Sequence, residues 1–306
     1  MIVYSLIIIT LLIAFTSLLI LVRSGKFAWS NSWPALLLSL SLAVFIYLFG
    51  VWVFLSVYLK YVFITIYFIV WLLVLINKKK VTGTQPPQRA NIILTLTSAA
   101  IFYLLSILYF TGTAGKPYSI INLTLPFKKG TYFVFQGGKG LPTNFFHFTG
   151  QRTAFAMDII KLNKIGNRAN CIFSSTLVDY EIFGDTIYSP CAGTVIKTEN
   201  DNPDNIPPLR KRGPTNINQV LIETGNAYIF LGHLKQGSLL VKAGDEVRAG
   251  APLGLSGNSG MSLEPHLHIQ AHAKTGNGAP WYRQPQLLIQ FDGKSYLLFE
   301  EINAGK

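Results

Sequence analysis

The hydrophobic pattern divides the chain near residue 111. Four runs carry apolar side chains with almost no polar interruption: residues 2–22, 34–58, 61–76 and 91–111. A helix needs roughly 20 mostly apolar residues to cross a bilayer, so each run predicts a membrane-spanning helix. The third is the shortest. Beyond about residue 125 the long runs stop. Short segments separated by Gly, Pro and Asn replace them, at 132–136, 154–161, 186–188, 193–197, 220–223, 227–231 and 265–272. Alternation without a 3.6-residue stripe predicts an all-β domain. The expected organisation is a transmembrane region of four helices over 1–111, a linker over 112–125 and an all-β domain over 126–306.

Charge sharpens this division. No Asp or Glu precedes Asp158 and no His precedes His147, so the first half lacks the side chains of hydrolytic or metal chemistry. Its seven basic residues are Arg23, Lys26, Lys60, Lys78, Lys79, Lys80 and Arg89. Basic residues in short loops favour the cytoplasmic side. Placing Arg23, Lys26 and the Lys78–Arg89 cluster inside leaves only Lys60 outside, together with the N-terminus and everything after residue 112. The chain is therefore expected in the cytoplasmic membrane, with its β domain periplasmic or extracellular. The first run lacks a basic leader and a small-residue cleavage site, and is read as retained. The formal charge of +12 mostly reports this topology, since 19 basic against 14 acidic residues remain beyond the membrane half. Nucleic acid is not an expected partner, and the densest basic patch, 207–213, reads as a solvated loop.

Two cysteines, Cys171 and Cys191, fall in the exported half, where thiols can oxidise. A bridge between them would close a loop of about 20 residues and contribute about 3 kcal/mol. The alternative is two unpaired small side chains.

The candidate chemistry lies late in the chain. His266-Leu267-His268 sits in a strand-like run, and residues two apart on a strand point to one face. That would put both imidazoles together, with Leu267 and Ile269 toward a core. Paired neutral imidazoles suit zinc or a similar ion, but do not complete a site. Asp158 lies opposite Met157 and Ile159 on its own strand, beside the small Ala156 and Ala154.

The ordered run of Asp158, Pro190-Cys191-Ala192-Gly193, Gly232-His233-Leu234, Gly244-Asp245-Glu246-Val247, Gly257-Asn258-Ser259-Gly260 and His266-Leu267-His268 resembles the lysostaphin-type, LytM-like zinc metallopeptidases that act as peptidoglycan endopeptidases. The resemblance covers roughly 130–275. It implies antiparallel sheets forming a groove, with Asp158 and His268 as Zn2+ ligands and His233 and His266 as the catalytic pair. The implied substrate is a peptide of the peptidoglycan cross-links or stems, or alternatively a protein. One position departs from the family. Its first ligand histidine usually stands four residues before the aspartate, where this chain has Ala154. His147 is the expected third ligand, brought back by a turn through Phe148-Thr149-Gly150-Gln151, and His272 is the fallback. Leu231 stands where the family often has tyrosine. The competing reading is a non-catalytic module of the same fold that binds wall peptides or regulates a hydrolase.

Overall fold

Long apolar runs satisfy their backbone hydrogen bonds internally as helices, and the computed structural model forms four such helices among its described residues. The described residues are 2–78, 89–148, 153–209, 213 and 215–305. The loop residues Lys79 and Lys80, the Thr149-Gly150-Gln151 part of the expected turn and the basic Arg210, Lys211 and Arg212 lie outside them. Two compact units result, Met1–Leu108 and Tyr109–Lys306.

In the first unit, α1 is Ile2–Ser24, α2 Trp29–Phe49, α3 Tyr58–Lys78 and α4 Arg89–Thr111. All four contain a window long and apolar enough to cross a membrane. The second helix differs from the expected 34–58. It starts before Pro34 and stops at Gly50, whose extended backbone (φ −62°, ψ 134°) cannot continue it. Gly50 N–H and Trp52 Nε1–H both donate to Ile46 O, at 2.9 and 3.0 Å, closing the helix end. A Cβ at Gly50 would stand 2.4 Å from both Ile46 O and Trp52 Nε1, which excludes any larger residue without movement.

The buried residues of α1 recur as Ile7, Thr10, Ala14, Ser17, Leu21 and Ser24. Small side chains on such a stripe let helices approach closely in lipid. Ser39 Oγ donates to Ser17 O at 2.7 Å. Having spent its only proton there, Ser39 accepts from Tyr67 O–H at 2.9 Å, which ties α1, α2 and α3 through one hydroxyl.

Among the described residues of the second unit, twelve strands form: β1 Ser119–Leu123, β2 Gly130–Gln136, β3 Met157–Leu162, β4 Thr186–Tyr188, β5 Gly193–Glu199, β6 Gln219–Thr224, β7 Ala227–Gly232, β8 Glu246–Val247, β9 Pro252–Leu255, β10 Leu267–Ala273, β11 Gln286–Phe291 and β12 Glu301–Ala304. The main sheet runs β12-β2-β3-β10-β7-β6-β5-β8, and β4 pairs with β9 apart from it. These ladders are antiparallel; β1 pairs in parallel with β11. Strand β1 falls within the stretch 112–125 expected as a linker. Its low hydrophobic contrast hid it, because four of its five residues are not buried.

Strand β10 occupies the middle of the sheet, paired to β3 and β7. Leu267, Ile269, Ala271 and Ala273 enter the core with Met157 and Ile159 of β3 and Ile229 and Leu231 of β7. Burying one such large aliphatic side chain contributes roughly 1.5–3 kcal/mol. The opposite face of β10 therefore presents His268, Gln270 and His272 by simple alternation. Strand β3 begins at Met157, three residues later than expected, because Ala154 and Phe155 lie in a turn. Cys171 and Cys191 are free thiols, so the bridge weighed from the sequence is absent. Cys171 instead donates to Phe173 O at 3.1 Å, while Cys191 packs against the core.

Candidate metal centre

Strand register alone brings Asp158 and His268 together, since they are direct partners in the β3–β10 ladder. His268 Nδ1 lies 2.9 Å from Asp158 Oδ1. On the other side of β10, His268 faces Gly232, which offers no side chain in its way. Both Asp158 and His268 are buried.

His147 arrives from the one-turn helix Phe145–Phe148, labelled α5, between β2 and β3. Its Nε2 stands 3.2 Å from Asp158 Oδ1. The buried Asn144 fixes this pose. Asn144 Nδ2 donates to Ala154 O at 3.0 Å and Ala156 O at 2.9 Å, so its Oδ1 is an acceptor. His147 Nδ1 lies 2.7 Å from that oxygen and must donate to it. The Nε2 lone pair is thereby aimed at the Asp158 carboxylate. Thr153 Oγ1–H also donates to His147 O at 2.6 Å. Ala154 takes part through its backbone carbonyl, as an anchor for Asn144.

His233 and His266 border the cluster with ring centroids 4.5 Å apart. His233 follows the end of β7 with φ 63°, a left-handed conformation uncommon for a bulky residue. Three bonds hold it there: His233 Nδ1–H to Ser259 O at 2.7 Å, Gly257 N–H to His233 O at 3.0 Å and Leu234 N–H to Asn218 O at 3.1 Å. His266 immediately precedes β10. Its Nδ1–H donates to Glu264 O at 2.8 Å, and its Nε2 lies 3.4 Å from Asp158 Oδ1. Glu264 is fixed in turn by the buried Arg168, with Nε–Oε1 at 3.0 Å and Nη2–Oε2 at 2.8 Å.

The electrostatics separate the two flanking imidazoles. Burial, reinforced by the neighbouring His266 and His268, pushes His233 well below the ordinary histidine range. Burial opposes charge on His266 too, but the Asp158 carboxylate outweighs it and raises that group. Burial would raise Asp158; His147 and His266 overcome this and hold it well below the usual carboxylate range.

His147, Asp158 and His268 thus present ligand atoms all within 4.8 Å of one another. His233 and His266 border that cluster, whereas His272 turns its Nδ1–H to Gln284 O at 2.8 Å and sits against Trp281. The supporting groups Asn144, Arg168 and Gln270 were not singled out from the sequence. Asn144 stands three residues before His147, and Gln270 continues the alternation of His266 and His268. Nothing local announces that Arg168 pairs with Glu264 across 96 positions.

Residues 175–280 match Peptidase family M23, a span that includes His233, His266 and His268 and begins after Asp158. A curated relative, the peptidoglycan DD-endopeptidase ShyA of Vibrio cholerae serotype O1, is 34% identical over 87 residues. That match covers 28% of this chain and 17% of ShyA, so the chain spans about a sixth of that relative's length. Among solved structures, a zinc containing peptidase from Vibrio cholerae is 18% identical, with 49% of this chain and 36% of that one covered and a TM-score of 0.28. The antimicrobial peptidase lysostaphin from Staphylococcus simulans is 20% identical over 53% of this chain and 47% of its own, with a TM-score of 0.30. Within the second unit, the chain is therefore similar to Peptidase family M23 over residues 175–280.

Proposed function

We propose that the chain is a membrane-anchored zinc metalloendopeptidase that hydrolyses peptide bonds in peptidoglycan cross-links or stems. The observation carrying this reading is the convergence of His147 Nε2, Asp158 Oδ1 and His268 Nδ1 within 4.8 Å, with the His147 lone pair forced toward the carboxylate by Asn144. Two nitrogen atoms and one carboxylate oxygen, mutually close, with Asp158 and His268 buried and His147 half-buried, fit a divalent ion with an open coordination position. A zinc ion held there would acidify a water molecule and polarise the scissile carbonyl.

The flanking histidines supply the proton handling. His233 commits its Nδ1–H to Ser259 O, which leaves the Nε2 lone pair to accept a proton from the attacking water. His266 commits its Nδ1–H to Glu264 O, and its Nε2, when protonated, can donate to the developing oxyanion or the leaving amine. Burial of His233, His266, His268 and Asp158, with His147 half-buried beside them, limits water and strengthens each interaction. The four long apolar helices serve as the anchor. Placing the N-terminus and the β domain on the periplasmic or extracellular side, as the basic loops favour, puts the site where wall peptides are.

The test is digestion of purified peptidoglycan by the full-length chain in detergent, with fragments separated by mass. New peptide termini that vanish with chelator and return with zinc are expected. Intact peptidoglycan in the presence of zinc would reject the assignment. Protease added to intact cells or spheroplasts should degrade residues beyond 112; full protection would reverse the topology.

A further inference from the structure

We propose that His272 is a positioning residue that, through Gln270, sets which nitrogen of His268 faces the metal. The inference rests on the metal reading above. His268, Gln270 and His272 lie on one face of β10, and all three are buried. His272 Nδ1 lies 2.8 Å from Gln284 O, a carbonyl that can only accept, so this nitrogen carries a proton. In the neutral ring, Nε2 is then an acceptor. It faces Gln270 Nε2 at 3.4 Å and receives an amide N–H from it. The amide is thereby oriented with Oε1 toward His268, whose Nε2 lies 3.0 Å away and must donate. His268 Nδ1 is left as a lone pair, 2.9 Å from Asp158 Oδ1.

The alternative arrangement is self-consistent only with different protons. Turning the Gln270 amide over would point its N–H at His268 Nε2 and place the ring proton on Nδ1, against the carboxylate and where the ion belongs. His272 disfavours that state because its own Nε2 needs a donor. Two further features hold His272 in place. Gln284 is fixed by its Nε2 donating to Asn277 Oδ1 at 2.8 Å and Ala279 O at 2.9 Å. Trp281 meets the His272 ring edge to face at 5.5 Å and stacks on Phe230, which meets His268. The relay thus fixes the tautomer of a ligand from four residues away without His272 touching the ion.

The test is zinc affinity of the full-length chain in detergent, by competition with a chromogenic chelator. His272→Ala and Gln270→Leu should each weaken zinc by about 10–100-fold, the usual effect of losing an outer-shell partner. The double variant should match Gln270→Leu within about 2-fold, because both changes break one chain of bonds. His272→Gln, which keeps an acceptor, should recover most of the affinity. Losses that multiply in the double variant, or wild-type affinity in His272→Ala, would overturn the relay alone. A wild-type chain that binds no zinc would overturn the metal reading, and the relay with it.

Discussion

Asp158 and His268 are cross-strand partners at the centre of the sheet, with His268 Nδ1 2.9 Å from Asp158 Oδ1. Their separation is set by β-ladder register, while His147 is delivered by the short helix α5. Asp158→Asn keeps the shape and removes the charge. It should weaken zinc by more than the roughly 10–100-fold typical of an outer-shell loss, with the fold retained by circular dichroism. Equal zinc affinity would show that the carboxylate is not a ligand.

Asn144 holds His147 through one bond and the backbone of residues 154 and 156 through two others. Asn144→Leu takes the amide donor from the buried Ala156 carbonyl, at about 1–3 kcal/mol, and from the partly buried Ala154 carbonyl at a smaller cost. The melting temperature should fall, and zinc affinity should fall with it. Asn144→Asp retains the acceptor for His147 and should preserve more zinc affinity than Asn144→Leu; the reverse order would contradict the pose of His147.

His233→Ala and His266→Ala separate binding from chemistry. Each should retain zinc near wild-type levels while lowering the rate of peptide cleavage by about 10²–10⁴-fold, the range for a lost general acid or base. Either variant losing its zinc would make that histidine a ligand.

Arg168 and Glu264 form a buried bidentate pair that supports the approach to His266. Arg168→Ala leaves a buried carboxylate without its partner, at a cost of about 3–5 kcal/mol. Chemical denaturation of the second unit should shift by that amount. A shift below about 1 kcal/mol would place the pair among weak surface bridges.

The two thiols should behave differently. Burial pushes the Cys191 thiol up to about 11, only partly offset by Thr224. Because the thiolate is the reactive form, Cys191 alkylation should be slow at neutral pH and accelerate as pH rises toward that value. Cys171, which is exposed, should label first. A disulfide-linked peptide containing both would refute the free-thiol state.

The sequence displayed those parts of the fold that depend on local pattern. The four apolar runs became helices, and the alternation around Leu267 and Ile269 placed those residues in the core with His268 behind them. The second helix was misplaced because hydropathy does not register the extended backbone at Gly50. Strand β1 was missed because it gains its place from parallel pairing with β11, a non-local contact. At the site, His233, His266, His268 and Asp158 were visible through ordered motifs. His147 was expected as the third ligand through a turn after it, but the group that fixes its ring, a side-chain bridge from Asn144 to residues 154 and 156, carried no signal. Arg168, distant in sequence from Glu264, carried no signal at all.

His147, Asp158 and His268 are proposed to hold one catalytic zinc. The most direct measurement is metal content of the full-length protein, purified without added metal or chelator, by elemental mass spectrometry beside amino-acid analysis. One zinc per chain, lost together in His147→Ala, Asp158→Asn and His268→Ala variants that remain folded, is the predicted result. A folded wild-type chain with no zinc even after incubation with the metal, or full occupancy in those three variants, would contradict it.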